Sequence, residues 1–344
     1  MPAPYLVGLD IGTHSIKAIT LRRGGNEASL VSVGSIPTPP KTLVSETPED
    51  LEVLAEALKK LRKEAKITEN RVVASLPESQ IFTRVIQLPK ITESEIGSAL
   101  KWEAEQYIPI PLSEVKMDWQ IISQETTEKE TKADILLVAA PLVLIEKYLK
   151  LLKLANFTPM SLETEIIAIV RSLINPEDPG PTTMIVSLGA STSDLVIVKN
   201  GLLSFTRSIA TGGESLARSL AQSLGFEMDQ AEEYKKTYGL DETQLEGKIT
   251  NAIKPVVDVI VNELRRAIAY YMGKKPDDPV KRVILTGGTA KLPGLVVYLA
   301  ENLGLEVQMG NPWARVKMHN NLREKLENES STYTVACGLA LKQV

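Results

Sequence analysis

Cysteine and histidine are nearly absent from this chain of 344 residues, which has one Cys and two His. The lone thiol, Cys337, cannot staple the chain internally, and its neighbours Val335, Ala336, Gly338 and Leu339 mark it as a small buried side chain rather than a nucleophile. His14 and His319 lie far apart in sequence, which argues against a histidine-rich metal centre. A basic excess is also missing: 39 Lys and Arg stand against 43 Asp and Glu, a net charge of -4, so the chain carries no electrostatic footprint for nucleic acid. No run approaches the roughly 20 apolar residues that span a bilayer. The opening MPAPYLVGLDIG lacks the basic start and small-residue cleavage site of a signal peptide. The expectation is a soluble protein, suited to a reducing compartment, that reaches a membrane only through a partner. Two phosphate-binding signatures are absent as well, G-x-x-x-x-G-K-[ST] and G-x-G-x-x-G, which excludes a P-loop and a dinucleotide fold.

What the chain does have is 43% hydrophobic residues, enough for two sizeable cores. Tyr5–Leu9, Ser15–Leu21 and Ala28–Ile36 read as strands separated by the turns at Gly12 and at Arg22–Asn26. Pro48 opens a helical pattern through Ala65, and Val72–Leu76 reads as a buried strand. Thr92-Glu93-Ser94-Glu95 has the form of a capping box for a helix through Gln106. Val115–Ser123 and Ala133–Ala140 read as strands around a charged tip, Glu125–Lys132, and Leu142–Ala155 as a helix. The second half repeats the theme. Thr183–Leu188, Asp194–Val198 and Leu202–Ser208 are again strand, turn, strand, turn, strand, followed by helices over Gly213–Leu224, Met228–Tyr238 and Thr250–Tyr271. Val280–Leu285 is a last strand before Gly287-Gly288. A duplicated unit of this kind points to two similar α/β domains.

Three glycine turns each follow a buried strand: Gly12-Thr13-His14-Ser15, Gly189-Ala190-Ser191-Thr192-Ser193 and Gly287-Gly288-Thr289-Ala290. Glycine lets backbone approach an anion, and N–H groups with hydroxyls can hold phosphate oxygens. Any one of them alone is an ordinary turn; three in a duplicated layout carry weight.

In order and spacing these segments resemble the signatures of the actin-like ATPases. LVGLDIGTHSIKAI resembles the first phosphate loop, ETEIIAIVRSL the first connecting helix and VSLGASTSDLVIV the second phosphate loop. VILTGGTAKLPGL resembles the adenosine segment and YTVACGLAL the final connecting helix. The stretch A-L-K-W-E-A-E-Q-Y-I-P, ahead of a V-x-x-D strand, is similar to the extra subdomain shared by FtsA and PilM, and to the PilM family in particular. The implied fold is a duplicated actin-like, ribonuclease-H-like α/β ATPase fold with an inserted subdomain. The first domain would be 1–78 and 158–178, with helix 332–344 returning to it. The insert would be 79–157, and the second domain 179–331, including a helical subdomain at about 213–279.

The resemblance implies ATP or ADP with Mg²⁺. Asp10 would face the metal. Gly12, Thr13, His14, Ser15 and Lys17, then Gly189, Ala190, Ser191 and Thr192, would lie around the phosphates. Gly212 and Gly213 would lie near them or simply make a turn. Glu232 and Lys235, three apart on one helix face, would meet ribose and adenine or form a surface ion pair. Gly287, Gly288 and Thr289 would lie under the nucleotide. Glu163 is the candidate catalytic residue for orienting water, or an ordinary first-turn glutamate of the connecting helix. Relatives carry Asp-x-Gly where this chain has Ser187-Leu188-Gly189, and a serine cannot serve as a carboxylate base, so weak or no hydrolysis is implied. The implied role is a cytoplasmic adaptor of the type IV pilus inner-membrane alignment complex, peripheral to the membrane and without insertion into it. It would bind the cytoplasmic N-terminal tail of PilN in a groove between the first domain and the insert, walled by Ile81–Leu88 and Ile96–Ile108, alongside other inner-membrane pilus proteins and a possible second copy of itself. An FtsA-like or bacterial-actin-like filament-forming ATPase is the alternative. A sugar or acetate kinase is weaker, because no substrate-activating pair stands out beyond Asp10 and Glu163.

Overall fold

The computed structural model describes residues 5–24, 27–45, 47–89, 93–126 and 131–344. The Gly25-Asn26 turn, the Thr92 cap and the centre of the charged tip at 127–130 lie outside these residues. The chain divides into two compact units. One comprises Met1–Arg171, Leu202–Thr206 and Val335–Val344; the other comprises Ser172–Gly201 and Arg207–Thr334.

The first unit opens with β1 (Tyr5–Ile11), β2 (Ser15–Gly24) and β3 (Glu27–Pro37), then α1 (Pro48–Glu64) and β4 (Arg71–Leu76). β1 lies between β2 and β4, antiparallel to the first and parallel to the second. Every residue of β1 after Tyr5 is buried, as a central strand covered on both faces requires. Thr47 caps α1 by accepting from the Asp50 N–H, and Pro48 stands in the first turn, where its missing N–H costs nothing. Leu51, Leu54, Ala55, Leu58 and Leu61 form the helix's buried stripe. Each of its leucines contributes about 1.5–3 kcal/mol of burial.

Next come β5 (Phe82–Pro89), α2 (Glu93–Glu105), β6 (Val115–Thr126) and β7 (Thr131–Pro141). They make a separate antiparallel sheet in the order β5-β7-β6. Ile96, Leu100 and Ala104, spaced four apart on α2, pack with Ile86, Leu88, Ile135 and Leu137 in a core distinct from that of the main sheet.

The chain then returns through α3 (Leu142–Leu154), β8 (Thr158–Thr164) and α4 (Glu165–Leu173). β8 pairs parallel with β4, and its register skips Met160. One expectation is corrected here. Glu163, read from sequence as the start of a connecting helix, belongs to β8, and α4 begins two residues later. The acid-rich Leu162-Glu163-Thr164-Glu165 reads as a helix start, but pairing with β4 decides the local structure.

The second unit contains β9 (Thr183–Leu188), β10 (Ser193–Lys199) and part of β11 (Leu202–Ile209), then α5 (Gly213–Leu224), α6 (Met228–Tyr238) and α7 (Lys248–Lys274). After these come β12 (Arg282–Thr286), α8 (Leu295–Leu303), β13 (Glu306–Met309), β14 (Val316–Lys317) and α9 (Asn320–Glu327). Its sheet runs β10-β9-β12-β13, with β9, β12 and β13 mutually parallel. A final buried helix, α10 (Thr334–Ala340), lies almost wholly in the first unit. Two glycines make that possible. A Cβ at Gly8 of β1 would collide with the Ala336 carbonyl, and one at Gly338 of α10 with the Ala168 carbonyl. Cys337 is buried within this helix, as its sequence neighbours imply.

Candidate functional site

In the first unit the β1–β2 hairpin sets Asp10 directly across from Lys17. The Lys17 ammonium stands 3.6 Å from the Asp10 carboxylate, and the Ser75 hydroxyl donates to it from β4 at 3.4 Å. Asp10 is buried. Burial pushes its pKa above the ordinary value, and Lys17 and Ser75 pull against that. The loop is closed by the Gly12 N–H donating to the Ser15 carbonyl at 3.2 Å. Thr13 and His14 at its tip are exposed.

Glu163 has a different setting. It is buried, and its carboxylate accepts from both guanidinium nitrogens of Arg171 at 2.6 Å and from Lys342 at 2.7 Å. Burial alone would raise its pKa, but the two cations outweigh burial and hold it below the usual carboxylate range. A carboxylate so engaged is a weak proton acceptor. Arg171 also donates to the Gly338 carbonyl at 2.9 Å, so β8, α4 and the C-terminal helix meet in one charged clamp.

In the second unit the β9–β10 hairpin repeats the turn, with the Gly189 N–H donating to the Thr192 carbonyl at 2.9 Å. Here the glycine segments converge on one atom. The Gly189 carbonyl accepts from the Gly213 N–H at 3.0 Å and from the Thr289 hydroxyl at 2.8 Å. The Glu214 N–H, in the first turn of α5, donates to the Ala190 carbonyl at 2.8 Å. A Cβ at Gly212 would meet the Ala190 carbonyl at 2.5 Å, so side chains are excluded where these segments cross. Lys235 reaches in from α6: it is buried and donates to the Gly213 carbonyl at 3.0 Å and to Glu232 at 2.5 Å. Burial lowers its pKa, and Glu232 opposes that shift. The two side chains thus form the i,i+3 ion pair, with the lysine buried and the glutamate partly exposed. Gly287 takes a φ of +89° with its Cβ direction blocked by the Leu188 carbonyl, whereas a Cβ at Gly288 would stand in open space.

One residue at this site escaped the sequence reading. Asp194 stands opposite Ser187 across the β9–β10 hairpin. It is buried, accepts from the Thr192 hydroxyl at 3.1 Å, and its Oδ1 has no hydrogen-bond partner. The available signal was its spacing: Asp194 follows Ser187 by the seven residues that separate Lys17 from Asp10.

Two α/β units, each carrying a glycine-looped hairpin that ends a buried strand, define an actin-like ATPase fold. MreB5 of Spiroplasma citri bound to AMPPNP shares it at a TM-score of 0.54 and 14% identity, over 98% of this chain and 95% of that one. Cell division protein FtsA of Streptococcus pneumoniae serotype 2 (strain D39 / NCTC 7466) is 21% identical over 347 residues, covering 90% of this chain and 76% of FtsA. A PilM–PilN type IV pilus biogenesis complex matches at a TM-score of 0.86 and 28% identity, over 98% of this chain and 97% of that one. The family model for type IV pilus assembly protein PilM matches residues 8–344. This chain belongs to the PilM family of type IV pilus assembly proteins. Among the described residues, no helix is long and apolar enough to cross a membrane.

Proposed function

We propose that this chain is an adenine-nucleotide-binding adaptor of type IV pilus assembly, which holds the cytoplasmic N-terminal tail of a PilN-like protein at the inner membrane. The observation that carries the nucleotide reading is the convergence of Gly213 and Thr289 on the Gly189 carbonyl. It gathers three separate backbone turns, with hydroxyls and a buried lysine, into one surface suited to phosphate. The residues that hold the ligand are Gly12, Thr13, His14, Ser15 and Lys17 from the first unit. From the second they are Gly189, Ala190, Ser191, Thr192, Gly212, Gly213, Glu232, Lys235, Gly287, Gly288 and Thr289.

A magnesium ion fits the donors present. Among the described residues no group of three or more His, Cys, Asp or Glu could hold a metal alone. Mg²⁺ characteristically takes one or two carboxylates and completes its shell with phosphate and water oxygens. Asp10 supplies that carboxylate, and the bound ion would supply charge to the phosphates. Binding the ion requires Asp10 ionised, and Lys17 favours that form.

Hydrolysis is weak or absent in this reading. Ser187 carries no charge, and Glu163 is taken up by Arg171 and Lys342, so we read Glu163 as a clamp rather than as the residue that orients water. The partner tail lies in a groove between the first domain and the insert, beside Ile81–Leu88 and Ile96–Ile108, and the insert's separate core supports such a module. The competing reading is a filament-forming ATPase of the FtsA or MreB kind. Titrating a PilN-tail peptide into the full chain, with and without Mg·ATP, separates the two. The expected result is peptide binding that tightens with nucleotide by a factor of about 5–150. No peptide binding by the folded chain, together with phosphate release near the median enzyme rate of about 10 per second, overturns the adaptor in favour of the ATPase.

A further inference from the structure

The segment between β3 and α1 does more than connect them. Thr38, the first residue after β3, holds both ends of the first glycine loop. Its hydroxyl donates to the Gly12 carbonyl at 2.6 Å and its N–H to the His14 carbonyl at 3.1 Å. A trans peptide carries its N–H opposite its C=O, and the chain has no cis bonds among its described residues. Fixing those two carbonyls therefore also fixes the direction of the Thr13 and Ser15 N–H groups.

The segment itself is stiff. Pro39 and Pro40 follow Thr38, the buried Thr42 hydroxyl donates to the Pro39 carbonyl at 2.8 Å, and the Ser45 N–H donates to the Lys41 carbonyl at 3.0 Å. Its far end is gripped from α3. The Lys147 ammonium donates to the Leu43 carbonyl and to the Ser45 carbonyl, each at 2.6 Å. Both are charge-assisted bonds to backbone, the stronger kind. α3 is in turn immobilised by Leu144, Tyr148, Leu151 and Leu152 in the core of the first unit, and it starts directly after β7, the central strand of the insert.

We propose that Lys147 is a positioning residue for the first glycine loop. It acts through residues 38–45 as a strap, and through that strap the loop is linked to α3 and the insert. The inference rests on the reading of this loop as a phosphate binder. A phosphate that orders the loop tightens the two Thr38 bonds. A proline-stiffened strap anchored at its other end passes the ordering on instead of absorbing it, so ligand and insert are coupled within the first unit through a continuous run of bonds.

The test uses the full chain with Lys147→Met, which keeps the aliphatic stem, and Lys147→Arg, which keeps the cation. Two quantities are measured: Mg·ATP affinity, and hydrogen exchange at 12–15, 41–45 and 142–154 with and without Mg·ATP. In the parent, nucleotide slows exchange in all three segments. Lys147→Met weakens nucleotide by about five- to tenfold, the low end of ordinary couplings, and loses the nucleotide-induced protection of 142–154, while Lys147→Arg restores it. A Lys147→Met protein that binds Mg·ATP as tightly as the parent, with the same protection pattern, overturns the inference alone. So does one that merely melts earlier without changing that pattern. A parent that does not bind Mg·ATP overturns the nucleotide reading and this inference with it.

Discussion

In the first hairpin Asp10 stands opposite Lys17, and in the second Ser187 stands opposite Asp194. The loops between them have the same length, and each is closed by a glycine N–H donating three residues on, at 3.2 Å and 2.9 Å. The backbone device is duplicated, and the charges on it are not. In the first copy a buried acid has a cation 3.6 Å away. In the second copy no cationic side chain pairs with the buried acid among the described residues, and hydroxyls alone from Ser208 and Thr192 offset the burial that raises its pKa. The clamp follows the same division: the first unit surrounds Glu163 with Arg171 and Lys342, while the second ties its glycine segments together mainly through neutral backbone bonds. A duplicated turn can thus be specialised by changing only the cross-strand pair. One copy sets a lysine across from its buried acid, and the other sets a serine there.

The largest effect should come from the clamp that sets the first unit apart. Glu163→Gln leaves Arg171 and Lys342 partly buried without a counter-charge, and breaking such a pair costs about 3 kcal/mol. Because the folded pKa of Glu163 is depressed, its stabilisation is present above its ordinary value of 4.5 and is lost as pH falls through the folded value. Denaturant unfolding of the parent should therefore lose stability below that pH, and the variant should be flatter in the same window. An equal acid dependence in both would mean that the clamp is not what distinguishes the first unit.

Next come the two hairpin acids, which should respond in opposite ways. Asp10→Asn removes the carboxylate proposed for the metal and should weaken Mg·ATP by about a hundredfold, the upper range for disturbing a metal site. Asp194→Asn should leave nucleotide affinity nearly unchanged and stabilise the fold by about 1 kcal/mol, since it relieves a buried charge that lacks a cation. The raised pKa of Asp194 gives the sign: its contribution is fully present below the ordinary carboxylate value and is lost as pH rises through the folded one. The variant's advantage should therefore grow with pH. If Asp194→Asn also abolished nucleotide binding, the division of labour between the hairpins would be wrong.

The hairpins were legible in the sequence because glycine turns punctuate β-branched runs, and that signal is local. Two strands of the insert were legible because the charged tip Glu125–Lys132 separates their apolar runs. β8 was not: Pro159 and the skipped Met160 break its alternation, and only its pairing with β4 makes it a strand. Asp194 carries no local turn signal of its own, and only the hairpin register, which sets it across from Ser187, brings it to the loop. The Thr38 and Lys147 bonds had no sequence signal, since they join residues 26 and 104 or 102 positions apart. Local turn chemistry reads through; long-range polar contacts do not.

The smallest effect distinguishes two adjacent glycines in the second unit. Gly287, at φ +89° and against the Leu188 carbonyl, tolerates no side chain, and alanine there costs about 1–2 kcal/mol from the left-handed backbone alone. Gly288 has an ordinary helical φ of −67° and open space where a Cβ would project. Gly288→Val should therefore leave stability within about 0.5 kcal/mol, as at ordinary surface positions. In the nucleotide reading that open space lies beside the adenosine, and a β-branched side chain would intrude on it. Thermal melts and Mg·ATP titration of the same protein separate the two consequences. Unchanged stability with weakened nucleotide supports the placement of Gly288. Unchanged stability with unchanged affinity moves the adenosine away from this turn.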